Sequence, residues 1–275
     1  LTELINLEEL EIMYPVNYEI PRILSNWQKL KKLSIYGIIN DIPVNIGELT
    51  HLEELLISLK YWQEYPLPQL PEELAKLSKL KRLHIDIHKL GGIPESIGQL
   101  NGLDSLFISS QALFPKSIGN LTCLTDLSLN YNQDINDEEI FLKYLECIEP
   151  LIGLKSMYIN FKGISHLPDW FSKFNRLENL QLDLLNMSAF PQFINELSQL
   201  KTLVLDGCHI GYLPEWINQL EKLEHLSLNY NNLKHLPKSL QNMTHLRYLG
   251  IEGNQINPDE AFTLSSFLMD CNVVW

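Results

Sequence analysis

Hydrophobic residues recur along the whole chain in the phrase Leu-x-x-Leu-x-(Leu or Ile), where x is mostly polar and Met157 once replaces the second Leu. The phrase begins eleven times, at Leu7, Leu30, Leu52, Leu80, Leu103, Leu124, Leu154, Leu177, Leu200, Leu223 and Leu246. Six of the ten steps between successive copies span 23 residues. Alternation of apolar and polar positions predicts a half-buried β-strand in each copy, in which side chains such as Leu203 and Leu205 point inward.

An apolar residue followed by proline marks the second half of most copies. These pairs are Ile42-Pro43, Leu70-Pro71, Ile93-Pro94, Phe114-Pro115, Leu167-Pro168, Phe190-Pro191, Leu213-Pro214 and Leu236-Pro237. A residue before proline prefers extended backbone, and each pair leads into a short amphipathic stretch such as ESIGQL. Each copy therefore predicts a strand, a turn and a short outer segment. Because one copy cannot bury its own apolar edge, the copies must stack on one another.

The spacing and the repeated phrase resemble the 23-residue class of leucine-rich repeats, which occurs in bacterial proteins, intracellular signalling scaffolds and plant immune receptors. The resemblance implies an α/β fold, a right-handed solenoid curved like a horseshoe. A parallel sheet of about eleven or twelve strands would line its concave face, with short helices or 3-10 turns on its convex face. We expect one domain over 1–275: a truncated upstream repeat at 1–6, eleven repeats over 7–255 and a C-terminal cap over 256–275.

The family places an Asn or Cys three residues after the last aliphatic residue of the strand, where it hydrogen-bonds the backbone of the turns. This position is matched in only four copies, at Asn132, Cys208, Asn231 and Asn254. We therefore expect the first half of the chain to be less regular than the second.

Two copies are longer than the others, and insertions in a solenoid usually lie in loops or on one face. One insertion lies near YWQEYPLPQL, and the other contains NDEEIFLKYLECIEP. The second predicts a helix capped by Asn136, with Glu139 as its reciprocal partner. Its apolar stripe comprises Ile140, Phe141, Tyr144, Leu145 and Ile148. This stripe either docks on the core or forms an exposed helix that binds a partner.

The C-terminal segment has its own start signals. Asn257 is placed to cap a helix whose first residue is Pro258, with two acidic residues in its first turn. The last residues, 272–275, can add one more strand. This ending is similar to the one that closes many bacterial leucine-rich repeat proteins and favours a bacterial source. The N-terminal LTELINL is typical of the tail of a preceding repeat and predicts an upstream segment.

Composition excludes several classes of partner. The 275 residues contain 34 Asp and Glu against 21 Lys and Arg, a formal charge of −13, so neither nucleic acid nor an anionic membrane surface is expected as a partner. No run of about 20 apolar residues predicts membrane insertion. The four cysteines, at Cys123, Cys147, Cys208 and Cys271, are widely spaced and form neither a disulfide framework nor paired metal half-sites. We expect a cytoplasmic monomer; the alternative is a secreted or cell-surface protein from which an upstream signal was removed.

The sequence contains no motif for catalysis or cofactor binding that survives inspection. The phosphate-binding and nucleophile-elbow motifs are absent, and Gly91-Gly92 fits a repeat turn. His84, Asp86 and His88 alternate along one strand, but His88 falls in a turn, so the three make a weak metal site at best. Cys208 occupies an inward repeat position and predicts a buried structural thiol. We therefore expect no enzyme activity, no metal and no cofactor.

Outward side chains on the strands line the concave face, which is a common binding surface in this family. One row contains large apolar or aromatic groups, and a second row contains acids and amides. The predicted partner-binding residues are Leu56, His84, Asp86, Phe107, Asn130, Tyr131, Tyr158, Asn160, Phe161, Asp183, Asp206, Asn229 and Tyr230. Exposed aromatic residues with polar neighbours are typical of interface anchors, although β-propensity alone also places aromatic residues on strands.

These features predict a protein-interaction module that binds a protein or peptide. Two alternatives stay open. The chain is the sensor or regulatory part of a larger receptor or signalling protein, or it is a bacterial surface or secreted protein that binds host proteins. The residues upstream of Leu1 would separate them.

Overall fold

A computed structural model of the chain describes residues 6–14, 24, 26–37, 42–60, 67–131, 138–183 and 186–275. The chain forms two compact units by its internal contacts. The first comprises Leu1–Asn132 with Lys143–Gly153, and the second comprises Gln133–Leu142 with Leu154–Trp275.

The first unit contains six parallel strands that pair in chain order. They are β1 (Glu9–Tyr14), β2 (Lys32–Gly37), β3 (Glu54–Leu59), β4 (Arg82–Ile87), β5 (Ser105–Ser110) and β6 (Asp126–Tyr131). The register aligns the repeats, because the same leucine of each copy pairs with its equivalent on the next strand. These successive partners are Leu33, Leu55, Leu83, Leu106 and Leu127. All five leucines are buried and form one apolar row beneath the sheet.

The second unit contains six further parallel strands in chain order. They are β7 (Ser156–Phe161), β8 (Asn179–Asp183), β9 (Thr202–Val204), β10 (His225–Ser227), β11 (Tyr248–Gly250) and β12 (Asn272–Val274). Leu203 and Leu205 are fully buried, while Thr202, Val204 and Asp206 are half-buried on the other side. The predicted α/β repeat fold, its twelve strands and its inward leucines are thus confirmed for the described residues.

A 3-10 helix follows each apolar-Pro pair. In the first unit these helices are Val44–Glu48, Glu72–Lys76, Glu95–Gln99 and Lys116–Asn120, and Glu146–Ile148 is a further one without the pair. In the second unit they are Asp169–Lys173, Gln192–Glu196, Glu215–Gln219 and Lys238–Asn242. Each proline has extended backbone and its carbonyl accepts the first hydrogen bond of the helix, as Pro43 does from the Ile46 N–H group at 3.1 Å. Proline therefore turns the chain away from the strand.

Two asparagines, the buried Asn231 and the half-buried Asn254, connect successive repeats of the second unit. The Asn231 Oδ1 atom accepts the N–H groups of Cys208 and Ile210, and its Nδ2 group donates to Leu205 and Leu228 carbonyls. Asn254 repeats part of this pattern one turn later. The structural role predicted for these positions is confirmed; Asn132 lies outside the described residues.

Helix α1 (Glu138–Leu145) forms where the long insertion predicted a helix. Phe141, Leu145 and Ile148 are buried, and the Phe141 ring packs edge-on against Phe161 with a centroid distance of 5.0 Å. The stripe therefore docks on the core, and the alternative of an exposed partner-binding stripe is wrong for these residues. The predicted cap Asn136, the Ile140 side chain and residues 61–66 of the other insertion lie outside the described residues.

Helix α2 (Pro258–Phe267) begins as the sequence predicted. The Asn257 side chain accepts a hydrogen bond from the Asp259 N–H group at 2.9 Å, and Pro258 is the first helical residue. Strand β12 pairs with β11, so the predicted final strand is present. Ala261, Leu264 and Leu268 are the buried residues that attach this segment to the core.

Glutamates on one 3-10 helix cap the next one along the chain. The Glu215 carboxylate accepts the Ser239 and Lys238 N–H groups at 2.9 and 3.2 Å, and Glu95 accepts the Ser117 N–H group at 3.0 Å. The Ser239 N–H group is the main reason that the pKa of Glu215 lies below its usual value. These carboxylates satisfy N–H groups that a helix start leaves without intrahelical partners.

A pH-dependent contribution to stability follows from Glu215. A lowered folded-state pKa stabilises the fold above the unfolded pKa of about 4.5, and this contribution is lost as the pH falls through the folded value. We expect Glu215→Gln to be less stable than the wild type at pH 7 and to differ much less at pH 3. Urea unfolding at both pH values measures this, with the exposed Glu221→Gln as matched control. An equal difference at both pH values would contradict the expectation.

Candidate functional site

The candidate site is the side of each sheet that faces away from the core. Alternation along the strands places every second side chain there. We call the outward side chains of β1–β6 the first open face and those of β7–β12 the second open face.

An apolar and aromatic row crosses the first open face. Leu56, His84 and Phe107 are direct partners on β3, β4 and β5. The rings of His84 and Phe107 stack with their centroids 3.9 Å apart and their planes within 2° of parallel. All three side chains are half-buried, and burial lowers the pKa of His84, so its imidazole is neutral at pH 7. The sequence-predicted trio thus forms one continuous surface.

A cavity of about 260 Å³ opens over this row. Leu56, His84 and Phe107 line it together with Ser34 and Ser105. Such a volume lies just below the ~300–1000 Å³ of typical small-molecule pockets, so the cavity has room for a single side chain.

Charged groups at the near end of the strands form the rim of the cavity. Arg82 donates to the Glu54 carboxylate, which also lies 3.5 Å from the Lys32 Nζ atom. Lys32 makes a further ion pair with Glu9 at 3.3 Å. Sequence reasoning missed this rim. The signal was available, because these residues lie two positions before the apolar row and alternate in sign between strands.

The acid and amide row of the first open face contacts its own neighbours. The Ser58 hydroxyl donates to the Asp86 carboxylate at 3.3 Å, and the Asn130 amide donates to the Ser109 hydroxyl at 3.5 Å. Tyr131, the last residue of β6, is half-buried. These polar groups hydrogen-bond one another; Ser109 is buried, whereas Ser58, Asp86 and Asn130 are half-buried and remain accessible to a ligand.

On the second open face, a small polar network surrounds Asp183. The Gln181 amide donates to the Asp183 Oδ2 atom at 2.8 Å, and the Tyr158 hydroxyl also hydrogen-bonds this carboxylate. The Asn160 amide donates to the Tyr158 hydroxyl at 3.3 Å. Burial raises the pKa of Asp183, and the charge of Asp206 acts in the same direction. Four outward residues of β7 and β8 are therefore held in one network.

A second network links Asp206, Asn229 and Ser227. The Asp206 Oδ1 atom accepts the Ser227 hydroxyl at 2.8 Å and the Asn229 N–H group at 2.7 Å. The Asn229 Oδ1 atom in turn accepts the Glu252 N–H group at 2.9 Å. Part of the row that the sequence predicted as partner-binding thus also holds neighbouring repeats together. Beside it, the rings of His225 and Tyr248 stack with centroids 4.3 Å apart, which sequence reasoning also missed.

The predicted exposure of Phe161 is wrong. Its side chain is 0% exposed and lies in the core against Phe141. Strand β7 continues to Phe161, and alternation turns its sixth side chain inward, as it does Leu59 and Ile87 in the first unit. Phe161 therefore belongs to the core and is no longer a candidate for binding a partner.

Tyr230 behaves differently at the same repeat position. Its side chain is 63% exposed, as predicted for an outward residue. The backbone at Tyr230 is left-handed with φ of 56°, and its ring lies so close to Gly253 that an added Cβ there would come within 2.5 Å. Gly253 is therefore restricted to glycine. The Tyr14 side chain and Leu184, which share this repeat position, lie outside what the structure describes.

Other candidates for chemistry do not assemble into a site. Among the described residues, no group of three or more His, Cys, Asp or Glu could hold a metal ion. The Cys208 thiol is buried and donates to the Leu182 carbonyl at 3.1 Å, which confirms its inward position. Within the described ranges, no helix has both the length and the apolar character needed to cross a bilayer.

Comparison with known proteins relates the chain to repeat proteins of this type. Residues 138–268 match the family model described as a leucine-rich repeat region. A comparison with curated protein sequences gives no significant match.

Solved structures share the fold over nearly the whole chain. A Leptospira interrogans leucine-rich repeat protein is 21% identical with a TM-score of 0.54, and the match covers 100% of this chain and 91% of that one. An internalin from Listeria monocytogenes is 21% identical with a TM-score of 0.65, over 98% and 80% of the two chains.

A plant structure also matches. It is the ectodomain of the Arabidopsis thaliana receptor kinase GASSHO1/SCHENGEN3 in complex with Casparian strip integrity factor 2. The identity is 25%, the TM-score is 0.63, and the match covers 99% of this chain but only 33% of the ectodomain.

Proposed function

We propose that the chain is a non-enzymatic protein-interaction module of the leucine-rich repeat type, which its repeats, its fold and the family model over residues 138–268 support. It binds a protein or peptide through its open faces, in line with the concave binding surface that the sequence predicts. The observation that carries this proposal is the stacked row of Leu56, His84 and Phe107, whose large side chains lie outside the core.

Folding does not require these side chains to be large. The equivalent residue on β2 is Ser34 and on β6 is Ser128, and both strands form with a small side chain there. Large aromatic groups that remain partly accessible are the groups that contribute most to binding at protein interfaces. The complex of the plant receptor ectodomain with Casparian strip integrity factor 2 supports a protein or peptide as the class of ligand.

A second candidate function is that of a sensor region in a larger receptor or signalling protein. The similarity of nearly the whole chain to one third of the plant receptor ectodomain supports it. The sequence upstream of Leu1 tests it, because a regulatory or catalytic domain there is required. We also propose a cytoplasmic location, supported by the wide spacing of the four cysteines along the sequence; cell fractionation tests this.

A double variant tests binding through the open faces. We expect Phe107→Ser with Tyr158→Ser to lose at least tenfold in affinity for a partner captured by the wild-type chain, because truncated interface aromatics typically cost about 2 kcal/mol or more. Calorimetry or surface plasmon resonance with that captured partner measures the loss.

The matched control is Tyr212→Ser, which truncates an exposed tyrosine of a loop away from the strands. Thermal unfolding of all variants checks that they are folded. Unchanged affinity of the folded double variant would show that the partner binds elsewhere.

A further inference from the structure

We propose that the cavity over β2–β5 of the first unit receives one uncharged aromatic side chain from an extended protein segment. The inference rests on the proposed function and adds the chemistry of the ligand at one point on the first open face. Three properties of the cavity support it: its size, the ion pairs at its rim and the stacked rings beside it.

The size of the cavity suits one inserted side chain. Its volume of about 260 Å³ is open on the outer side of the sheet, above Ser34 and between larger neighbours. Ser34 is the partner of Leu56 in the register, so a small side chain borders the apolar row at this edge. An inserted ring would fill the space that Ser34 leaves and would contact Leu56.

The charged groups that line the cavity are already engaged in ion pairs, which favours an uncharged ligand. Glu54 interacts with both Lys32 and Arg82, and Glu9 pairs with Lys32. These pairs engage Lys32, Glu54 and Arg82, the charged residues that line the cavity. A charged side chain entering here would have to give up its solvation and compete with these pairs.

The floor of the cavity favours a planar group. His84 lies between Leu56 and Phe107 in the register, with one ring face stacked on Phe107. Aromatic rings that stack or meet edge to face gain more than the burial of their area alone provides, and this floor offers both a ring and an aliphatic side chain. A partner ring can lie over Leu56 and the His84 edge while its backbone hydrogen-bonds Ser34 or Ser105.

Nuclear magnetic resonance titration of the whole chain tests the proposal with defined probes. We expect N-acetyl-tryptophanamide to shift the Leu56 methyl and His84 ring signals saturably, with a dissociation constant of about 1 mM. N-acetyl-leucinamide, N-acetyl-argininamide and N-acetylglutamate α-amide should bind at least threefold more weakly. If any of these three binds as tightly as the tryptophan probe, the assigned chemistry is wrong.

A variant that fills the cavity locates the site. Ser34→Trp places a large ring beside Leu56 from the neighbouring strand, and we expect it to abolish saturable binding of the tryptophan probe. Gln99→Trp adds the same ring at an exposed position of a 3-10 helix and should bind the probe as the wild type does. Full binding by a folded Ser34→Trp chain would overturn the proposal.

The pH dependence of probe binding gives an independent readout. The charged groups facing His84 are Arg82 and Asp86 on its own strand and Glu54 on β3; β5 presents only uncharged side chains. Burial already lowers the pKa of His84 beside Phe107, so desolvation outweighs any attraction between the imidazolium and a ring. A second ring lowers this pKa further, and we expect weaker binding at pH 5 than at pH 7.5. His84→Phe should bind the probe equally well at both pH values. If the wild-type chain binds the probe as tightly at pH 5 as at pH 7.5, the probe ring does not lie beside His84.

The outcomes separate this inference from the proposed function. If the Phe107 and Tyr158 double variant loses its partner while Ser34→Trp keeps full affinity for it, the open faces bind but the cavity is not the aromatic subsite. If Ser34→Trp loses both the probe and the partner, the cavity is part of the interface.

Discussion

Replacement of Asn231 by alanine is expected to lower the free energy of unfolding by about 3–5 kcal/mol. Asn231 is only 3% exposed and makes hydrogen bonds with five backbone groups from two successive repeats. Each buried backbone group left without a partner costs about 1–3 kcal/mol, and the five losses are not fully additive.

Urea unfolding followed by circular dichroism measures this loss, and Asn232→Ala is the matched control. Asn232 is the next residue along the chain, is exposed, and donates one side-chain bond to the His209 carbonyl at 3.3 Å. We expect the control to change stability by less than about 1 kcal/mol. Equal losses for the two variants would show that the buried asparagine is not a structural link between repeats.

The fold could be predicted because the same spacing of apolar and polar residues recurs in every repeat. Inward leucines such as Leu83 and Leu106 recur at a fixed offset, and a parallel register aligns them on neighbouring strands. Local chemistry was predictable for the same reason. Asn257 and Pro258 start α2 by capping rules that act within a few residues, so no knowledge of distant contacts was needed.

The candidate site was less predictable, because it depends on where each strand ends. Phe161 and Tyr230 occupy the same repeat position, seven residues after Leu154 and Leu223. Strand β7 continues through Phe161 and turns it inward, whereas β10 ends at Ser227 and the chain then turns through the left-handed backbone of Tyr230. The repeat phrase is alike in both copies and does not specify the length of the strand.

Contacts between long side chains also could not be predicted from the sequence pattern. The pattern places Lys32, Glu54 and Arg82 in one column, but their mutual ion pairs depend on side-chain conformations that only neighbouring strands determine. The sequence pattern also did not show that residues of the acidic row have two roles, one at the surface and one in linking repeats. Asp206 is outward, as expected, yet it accepts hydrogen bonds from Ser227 and Asn229 of the next repeat. Such a residue contributes to stability as well as to the surface, so its substitution is a poor test of binding.

Phe161→Ala is expected to lower the free energy of unfolding by about 3–5 kcal/mol, the usual cost of removing a phenyl ring from a packed core. The ring is 0% exposed and packs edge-on against Phe141 of α1, so its loss also loosens the attachment of that helix. Urea unfolding again measures the change.

Tyr230→Ala is the matched control, because it removes an aromatic ring from the same repeat position where that ring is 63% exposed. We expect this change to cost less than about 1 kcal/mol, since exposed side chains contribute little to stability. A similar cost for both variants would contradict the inward turn of Phe161. A large loss for Phe161→Ala alone is expected if strand length decides which aromatic residues of a repeat enter the core and which remain on the surface.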